Sequence, residues 1–433
     1  MMKRSENKRQ SLGLPAKILI CTALGLILGI VTGGAISEVR VVGDVFIRLI
    51  QMSIPLLILG AVIEAIGNID RKTVGKIGGK SIAFFVVTTI VAGVVSIIIA
   101  FILRPGQGLY FDADVVELVA PEIARGVSDV VLSFFGTNII SSLASGTIIH
   151  IIVFAVFFGL ALSEYTSKTG NRTVIDGVAS FNKILMSMIR FIMNFAPIAV
   201  FSIMVWVGGE VGVEVVGALA MYLLGLFLVL VIYQAIFFIS VSAYVGVNPI
   251  KTFKKCSKAM LIASTTTSSA MALPTAMEDS VKKLGVNRAV ANIVNPLGIT
   301  LNADGQMMFT TFGIILMFNI LGLDLPLGTL INIIVIGTLA TFGVIAVPGG
   351  ALVVLMALLP EFGIPVEAVM IIAGVDWFRG MITTPANISG DMLAAIAIAK
   401  SEKEFYREVF DGELTADEAE EKYAATGGKT VTV

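Results

Sequence analysis

Four ionisable side chains, Asp304, Asp376, Arg379 and Asp391, stand within long apolar runs of this sequence. A charge in hydrocarbon is expensive, so such residues face a protein interior or a wet cavity and mark ion or substrate pathways. Gly298, Thr300, Asn302 and Gln306 surround Asp304, and Asn302-Ala303-Asp304-Gly305 is a turn-forming tetrapeptide that interrupts a helix. Asp376, Gly380, Thr383, Asn387 and Asp391 recur at intervals of three and four, which makes one polar helical stripe that cannot face lipid; Arg379 and Thr384 lie beside it. Carboxylate, amide and carbonyl oxygens around a helix break are ligands for a hard cation, and fully dehydrated they suit sodium or a proton-linked carboxylate. Asp376 and Arg379, three apart, read equally as a buried ion pair that only fixes packing. Asp304 and Asp391 have no cation near them in sequence and read as ion binders.

Other polar features carry weaker signals. Ser264 to Ser269 is a run of six hydroxyl residues followed by Pro274, and it fits substrate contact or close helix packing about equally. Thr88 and Thr89 are individually uninformative, because threonine often bonds back to its own helix. The lone His150 lacks a second ligand or an orienting carboxylate and reads as a packed side chain. Cys21 and Cys256 have no paired spacing and read as free thiols, and the 18 methionines read as lipid-facing or packing groups.

The elements that must position these groups are membrane helices. The chain has 433 residues, is 56% hydrophobic and 14% charged, and has a mean hydropathy of +0.95, against about a quarter charged for soluble domains. That excludes soluble enzyme folds, and a net charge of -1 leaves no footprint for nucleic acid. An enzyme is also disfavoured, since no nucleophile stands with a base or a metal cluster.

Uncharged runs predict six crossing helices near 12–36, 43–66, 78–104, 129–163, 173–207 and 213–246, after an N-terminal stretch 1–11. Lys3, Arg4, Lys8, Arg9, Arg71, Lys72, Lys76, Lys80, Lys168, Arg172, Lys183 and Lys251 to Lys258 then fall on one side, so both termini are expected in the cytoplasm of a multi-pass cell-membrane protein. The stretch 255–280 has lysines at both ends and predicts a re-entrant hairpin opening from inside. A second hairpin, 325–360, has no basic residue near it and is broken by Gly343 to Gly350 around Pro348, which predicts an opening from outside. Helix seven, about 286–319, lies between the hairpins, and helix eight, about 364–400, follows them. The acidic tail 401–433 reads as a partly helical or disordered cytoplasmic end. Hairpin plus helix, twice and in opposite topology, is the inverted-repeat pattern of secondary transporters; a channel would need several equivalent polar segments.

Ala272-Leu273-Pro274, Asn302-Ala303-Asp304-Gly305, Val347-Pro348-Gly349-Gly350 and Asn387-Ile388-Ser389-Gly390-Asp391 resemble, in this order, the dicarboxylate/amino acid:cation symporters, which include the glutamate transporters. The likeness extends to Lys17-Ile18-Leu19 and to Ala196 to Phe201. It implies an all-α polytopic membrane protein of eight transmembrane helices plus two re-entrant helical hairpins. It also implies a homotrimer in which helices one, two, four and five form a scaffold, while helices three and six move with a transport core (250–400) by an elevator motion. Sodium would be the coupling ion, with no other cofactor. One ion would sit on carbonyls of Gly298, Asn302 and Asn387 with the Asp391 carboxylate, and a second near Thr88, Thr89, Asn302 and Asp304. A third would use main-chain oxygens of Thr300, Thr341, Phe342 and Val344. Substrate would meet Ser268, Ser269, Gln306, Val344, Gly349, Asp376, Arg379, Gly380, Thr383, Thr384 and Asn387, with Ser269 and Asn387 on its carboxylate and 344–349 as the outer gate.

Two departures bear on the substrate. In acidic amino acid transporters of the family an aspartate holds the substrate ammonium and an arginine three residues later holds the side-chain carboxylate; here Gly380 and Thr383 align with them. Thr383 lacks the bidentate fork that carboxylate recognition uses. The expected substrate is a small carboxylate: a neutral amino acid, or a mono- or dicarboxylate without an ammonium. Proton coupling through Asp304 and Asp391 remains the alternative.

Overall fold

The computed structural model describes residues 14–67, 75–106, 135–211, 214–341 and 350–424. Within them every regular element is helical apart from one isolated β-bridge. Four helical stretches, Lys76–Leu103, His150–Thr169, Leu219–Val245 and Asp376–Glu402, are long and apolar enough to cross a bilayer by length and composition. With the shorter apolar helices around them they make a helical, multi-pass membrane protein.

The first half runs α1 (Leu14–Thr32), α2 (Arg40–Gln51), α3 (Ile54–Gly67), α4 (Gly75–Leu103), α5 (Ile139–Ser145), α6 (Ile148–Thr169), α7 (Thr173–Met193), α8 (Ala196–Val211) and α9 (Glu214–Val245). Several runs expected as single helices are broken. The stretch 43–66 divides at Met52-Ser53, just before Pro55, and 173–207 divides at Asn194-Phe195, just before Pro197. Proline stiffens a helix start and disfavours helical geometry in the residue before it, so each pair begins anew there. The stretch 129–163 breaks at Gly146, which adopts φ 72.

Small residues set the closest packing in this half. Gly25 and Gly29 of α1 lie against the Phe201 and Val205 carbonyls of α8, and Gly208 returns the contact against Leu26. Such backbone approach is how helices associate in lipid, where no hydrophobic force separates them from their solvent. Helix α3 packs on α6 and α7, and Asn182 of α7 donates to Glu64 at 2.5 Å.

The second half runs α10 (Pro249–Thr266), α11 (Ser269–Lys282), α12 (Arg288–Leu301), α13 (Asp304–Ile320), α14 (Leu327–Thr341), α15 (Gly350–Leu358), α16 (Met370–Ala373) and α17 (Asp376–Glu402). Helix α17 is the hub, contacting α4 and α9 through α13, and is buried almost continuously from Thr383 to Ala399. The stretch 286–319 is two helices meeting at Asn302-Ala303, as the turn tetrapeptide predicts, and 364–400 starts in short turns before α17.

The tail forms structure of its own. Helices α18 (Arg407–Asp411) and α19 (Ala416–Ala424) fold back on the turn between α11 and α12. Val286 pairs with Phe405, the Tyr406 N–H donates to the Gly285 carbonyl at 2.7 Å, and the Asn287 N–H donates to Glu404 at 3.0 Å. Tyr406 stacks on Tyr423 at 5.2 Å, Arg288 meets Asp417 at 2.6 Å, and Arg407 donates to the Gly246 carbonyl at 2.6 Å. Residues 425–433 lie outside the described residues. Gly285 adopts φ 72, and a Cβ there would meet the Tyr406 carbonyl. A left-handed non-glycine residue costs about 1–2 kcal/mol before that clash is counted. Gly285→Ala is therefore expected to release the clasp: amides of 404–424 lose hydrogen-exchange protection while those of α17 keep theirs. Equal protection in both proteins would disprove the clasp.

Candidate functional site

The site grows from the break between α12 and α13. Asn302 caps α12 with extended backbone, and its N–H still donates to the Gly298 carbonyl at 2.7 Å. Its side chain turns toward α17, where Nδ2 donates to the Asn387 carbonyl at 2.8 Å and to Asp391 Oδ1 at 2.8 Å. Asn387 answers by accepting from the Gly305 N–H, Oδ1 to N, at 2.7 Å. The break is thus tied to the centre of α17 by amide bonds, which bring Gly298, Asn302, Asn387 and Asp391 together.

Asp391 is fully buried and lies directly on Gly298; a Cβ at Gly298 would strike its carboxylate. Asp391 Oδ2 and Asn302 Oδ1 are buried and find no hydrogen-bond donor. Buried acceptors left without donors are costly unless something positive satisfies them. A dehydrated cation with oxygen ligands is chemically suited to do so.

Asp304, also fully buried, opens α13. Thr88 and Thr89 of α4 donate to its Oδ1 at 3.2 and 3.0 Å, and the Tyr233 hydroxyl of α9 donates to Oδ2 at 2.5 Å. Sequence reasoning brought Thr88, Thr89 and Asp304 together only through the family likeness, and it missed Tyr233. It also missed Gln234, whose Nε2 donates to Ser389 of α17 at 2.7 Å. A buried amide in an otherwise apolar span is the signal that was available.

The hydroxyl run resolves into separate tasks. Thr265 and Thr266 bond back to Leu261 and Ile262 of their own helix. Ser264 donates to the Met381 carbonyl at 2.8 Å. That carbonyl lies four residues before Pro385, which has no N–H to give it, so Ser264 replaces the missing helical bond. Thr267 joins α10 to α11 at φ 50, and its buried hydroxyl finds no partner. A β-branched residue in this region is strained and held by its surroundings. Ser268 and Ser269 follow it and are buried. Gly380 of α17 faces Thr267, whose carbon atoms would lie 3.1 Å from any Cβ placed there.

Asp376 and Arg379 form the ion pair that their spacing allowed. Two guanidinium nitrogens, Nε and Nη2, converge on Asp376 Oδ1 at 2.9 and 2.6 Å, with the group 4.7 Å above the Phe309 ring. The remaining edge, Nη1, donates to Thr383 Oγ1 at 3.3 Å. Thr384 is buried next to it. Gln306 donates to Thr310 at 3.0 Å and to the Ala351 carbonyl at 3.3 Å, which ties α13 to α15. Thr300 is exposed, and its hydroxyl returns to Leu297 of α12. Thr341 ends α14, while Phe342, Val344 and Gly349 lie outside the described residues. Away from the site, Cys21 and Cys256 are free thiols, and His150 rests 3.1 Å from the Ser142 hydroxyl.

Comparison with known proteins shows the family. The model of the sodium:dicarboxylate symporter family matches residues 14–401. A proton/glutamate-aspartate symporter of Bacillus subtilis (strain 168) is 32% identical over 406 residues, covering 90% of this chain and 95% of the relative. A proton/sodium-glutamate symport protein of Geobacillus stearothermophilus is 28% identical, covering 92% and 97%. A C4-dicarboxylate transport protein of Bacillus subtilis (strain 168) is 27% identical, covering 90% and 94%. A family match across most of the chain, with relatives aligned almost end to end, leaves one assignment: the chain belongs to the sodium:dicarboxylate symporter family.

Proposed function

We propose that the protein imports a small carboxylate, either a neutral amino acid or a mono- or dicarboxylate lacking an ammonium, on a sodium gradient. The carrying observation is that two buried acceptors on bonded side chains, Asp391 Oδ2 and Asn302 Oδ1, find no donor, in a cluster where Asn302 Nδ2 also reaches the Asn387 carbonyl and the Asp391 carboxylate lies against Gly298. Sodium would be held there and again near Asp304. Substrate would lie between Ser268 and Ser269 at the α10–α11 tip and Thr383, Thr384 and Asn387 on α17. Substitution of Gly380 and Thr383 for the charged pair of the acidic amino acid carriers supports the choice of substrate.

The elevator reading draws on how the helices group. Helices α1 to α3 and α6 to α8 pack mainly among themselves, and α4 and α9 to α13 pack around α17. The first group would be the trimeric scaffold and the second the moving core. In this scheme α10–α11 and α14–α15 are the re-entrant hairpins, residues 344–349 are the outer gate, and both termini are cytoplasmic. Relatives named as proton symporters favour a second reading in which protons replace sodium.

Uptake by proteoliposomes of labelled carboxylates, under imposed sodium or pH gradients, separates these readings. Sodium-driven accumulation is expected. Accumulation that follows pH alone selects the proton reading, and uptake indifferent to both gradients refutes coupled transport.

A further inference from the structure

A cavity of about 670 Å³ lies between α4, α9 and α17, away from the substrate stripe. Its size falls within the range of about 300–1,000 Å³ usual for small-molecule sites. Its lining includes, at the inner end, Thr88 and Tyr233, two of the three hydroxyl residues that hold Asp304. Its mouth is formed by Lys80 and Ser401, which are bonded at 2.8 Å. Lys80 precedes Thr88 by eight residues, about 12 Å along a helix. Between the two ends the walls are apolar, among them Phe84, Val87, Val91, Ile236 and Phe237. Val87 is 59% exposed and Ile236 44%, on helices apolar enough to span a bilayer, so the groove opens sideways toward lipid chains.

Charge at the mouth selects the occupant. Lys76 and Lys80 both pair with Glu402, leaving two cations against one anion. That excess would repel sodium, and apolar walls do not conduct ions, so a cation entry path to Asp304 is disfavoured. Basic groups at the ends of spanning helices suit anionic headgroups, and their long stems reach the interface. We propose that one acyl chain of an anionic membrane phospholipid occupies this groove, with its headgroup on Lys76 and Lys80 and its tail against Thr88 and Tyr233. The occupant packs on the residues that position Asp304, so lipid composition tunes that site. This last step rests on the ion-site reading; binding itself does not.

The test uses the full chain reconstituted in phosphatidylcholine vesicles with traces of phospholipid carrying a diazirine in the acyl chain, followed by peptide mapping. A phosphatidylglycerol probe is expected to label α4 and α9 around Val87, Val91 and Ile236, and a phosphatidylcholine probe to label them much less. Val87→Trp fills the groove from its exposed side, so labelling there falls about tenfold while the unfolding temperature holds. The pair Lys76→Gln and Lys80→Gln erases the preference for phosphatidylglycerol. Equal labelling by both probes overturns the proposal, as does labelling spread evenly over the lipid-facing sides of α1 and α8. Labelling by a diazirine fatty acid but not by the phospholipid overturns the phospholipid as occupant. All of these outcomes are read without transport, so failure of the uptake experiment is a separate result.

Discussion

Asp391→Asn is expected to abolish sodium-driven uptake and to leave the protein folded. Asparagine keeps the shape of aspartate, and an amide oxygen at the Oδ1 position would still accept from Asn302 Nδ2, a bond now 2.8 Å long. The other oxygen, Oδ2, which is buried without a partner in the native protein, becomes an NH₂ group and no longer offers an acceptor. An acceptor that a cation would satisfy is then lost, and so is the negative charge that offsets the cost of dehydrating the ion. Stability without sodium is expected to stay level or rise, because a buried carboxylate and an orphan acceptor are removed together. In the native protein sodium is expected to raise the unfolding temperature by mass action, as a ligand of the folded form alone would. In the variant sodium has no more effect than choline, and sodium-driven uptake falls about a hundredfold or more, equivalent to about 2.7 kcal/mol. Sodium-dependent uptake equal to that of the native protein would remove Asp391 from the ion site. The same substitution at Asp376 has a different expectation, because that carboxylate already carries a cation in Arg379.

The contrast between Asp391 and Asp376 also shows what a sequence can reveal here. A carboxylate in a long apolar run is conspicuous because lipid makes it costly, so Asp304 and Asp391 stood out without any structure. The Asn302-Ala303 break was legible for a similar reason, since its turn-forming residues interrupt a helical pattern. Breaks at Met52-Ser53 and Asn194-Phe195 were not, because hydropathy runs smoothly through Pro55 and Pro197 while the backbone does not. Tyr233 was hidden by its ring, which counts as apolar although its hydroxyl reaches Asp304. Ser264 could be assigned only after Pro385 was seen to free a carbonyl on another helix, a relation across 117 positions of the chain. The clasp of the tail is equally long-range: a short acidic segment has no periodicity that foretells Phe405 pairing with Val286. Local chemistry was therefore readable where lipid imposes a penalty, and hidden where one distant group completes another.

Thr383→Arg is expected to shift the substrate preference toward acidic substrates. Thr383 is 2% exposed, and its hydroxyl donates to the Arg379 carbonyl at 3.1 Å while accepting from Arg379 Nη1 at 3.3 Å. Arg379 brings a guanidinium to this turn of α17, but Asp376 neutralises it through two bonds to one oxygen, and it rests on Phe309. This turn of α17 is therefore polar without net positive charge from this pair. A second guanidinium at 383 finds Asp376 already engaged, so its charge stays available for a ligand. Its planar fork matches a carboxylate in two parallel bonds, which a lysine cannot do. Aspartate or glutamate is expected to compete about tenfold more strongly for uptake of the native substrate, a gain of about 1.4 kcal/mol, and Thr383→Lys to produce a smaller change. Sodium dependence is expected to survive, because Asp391 lies eight residues on, about 12 Å along the helix. Repulsion from Arg379 opposes the gain, so adding Arg379→Gln is expected to enlarge it. A competition profile identical to that of the native protein, in a variant that still takes up substrate with sodium, would place position 383 outside the pocket and return the specificity of this chain to the α10–α11 tip around Thr267.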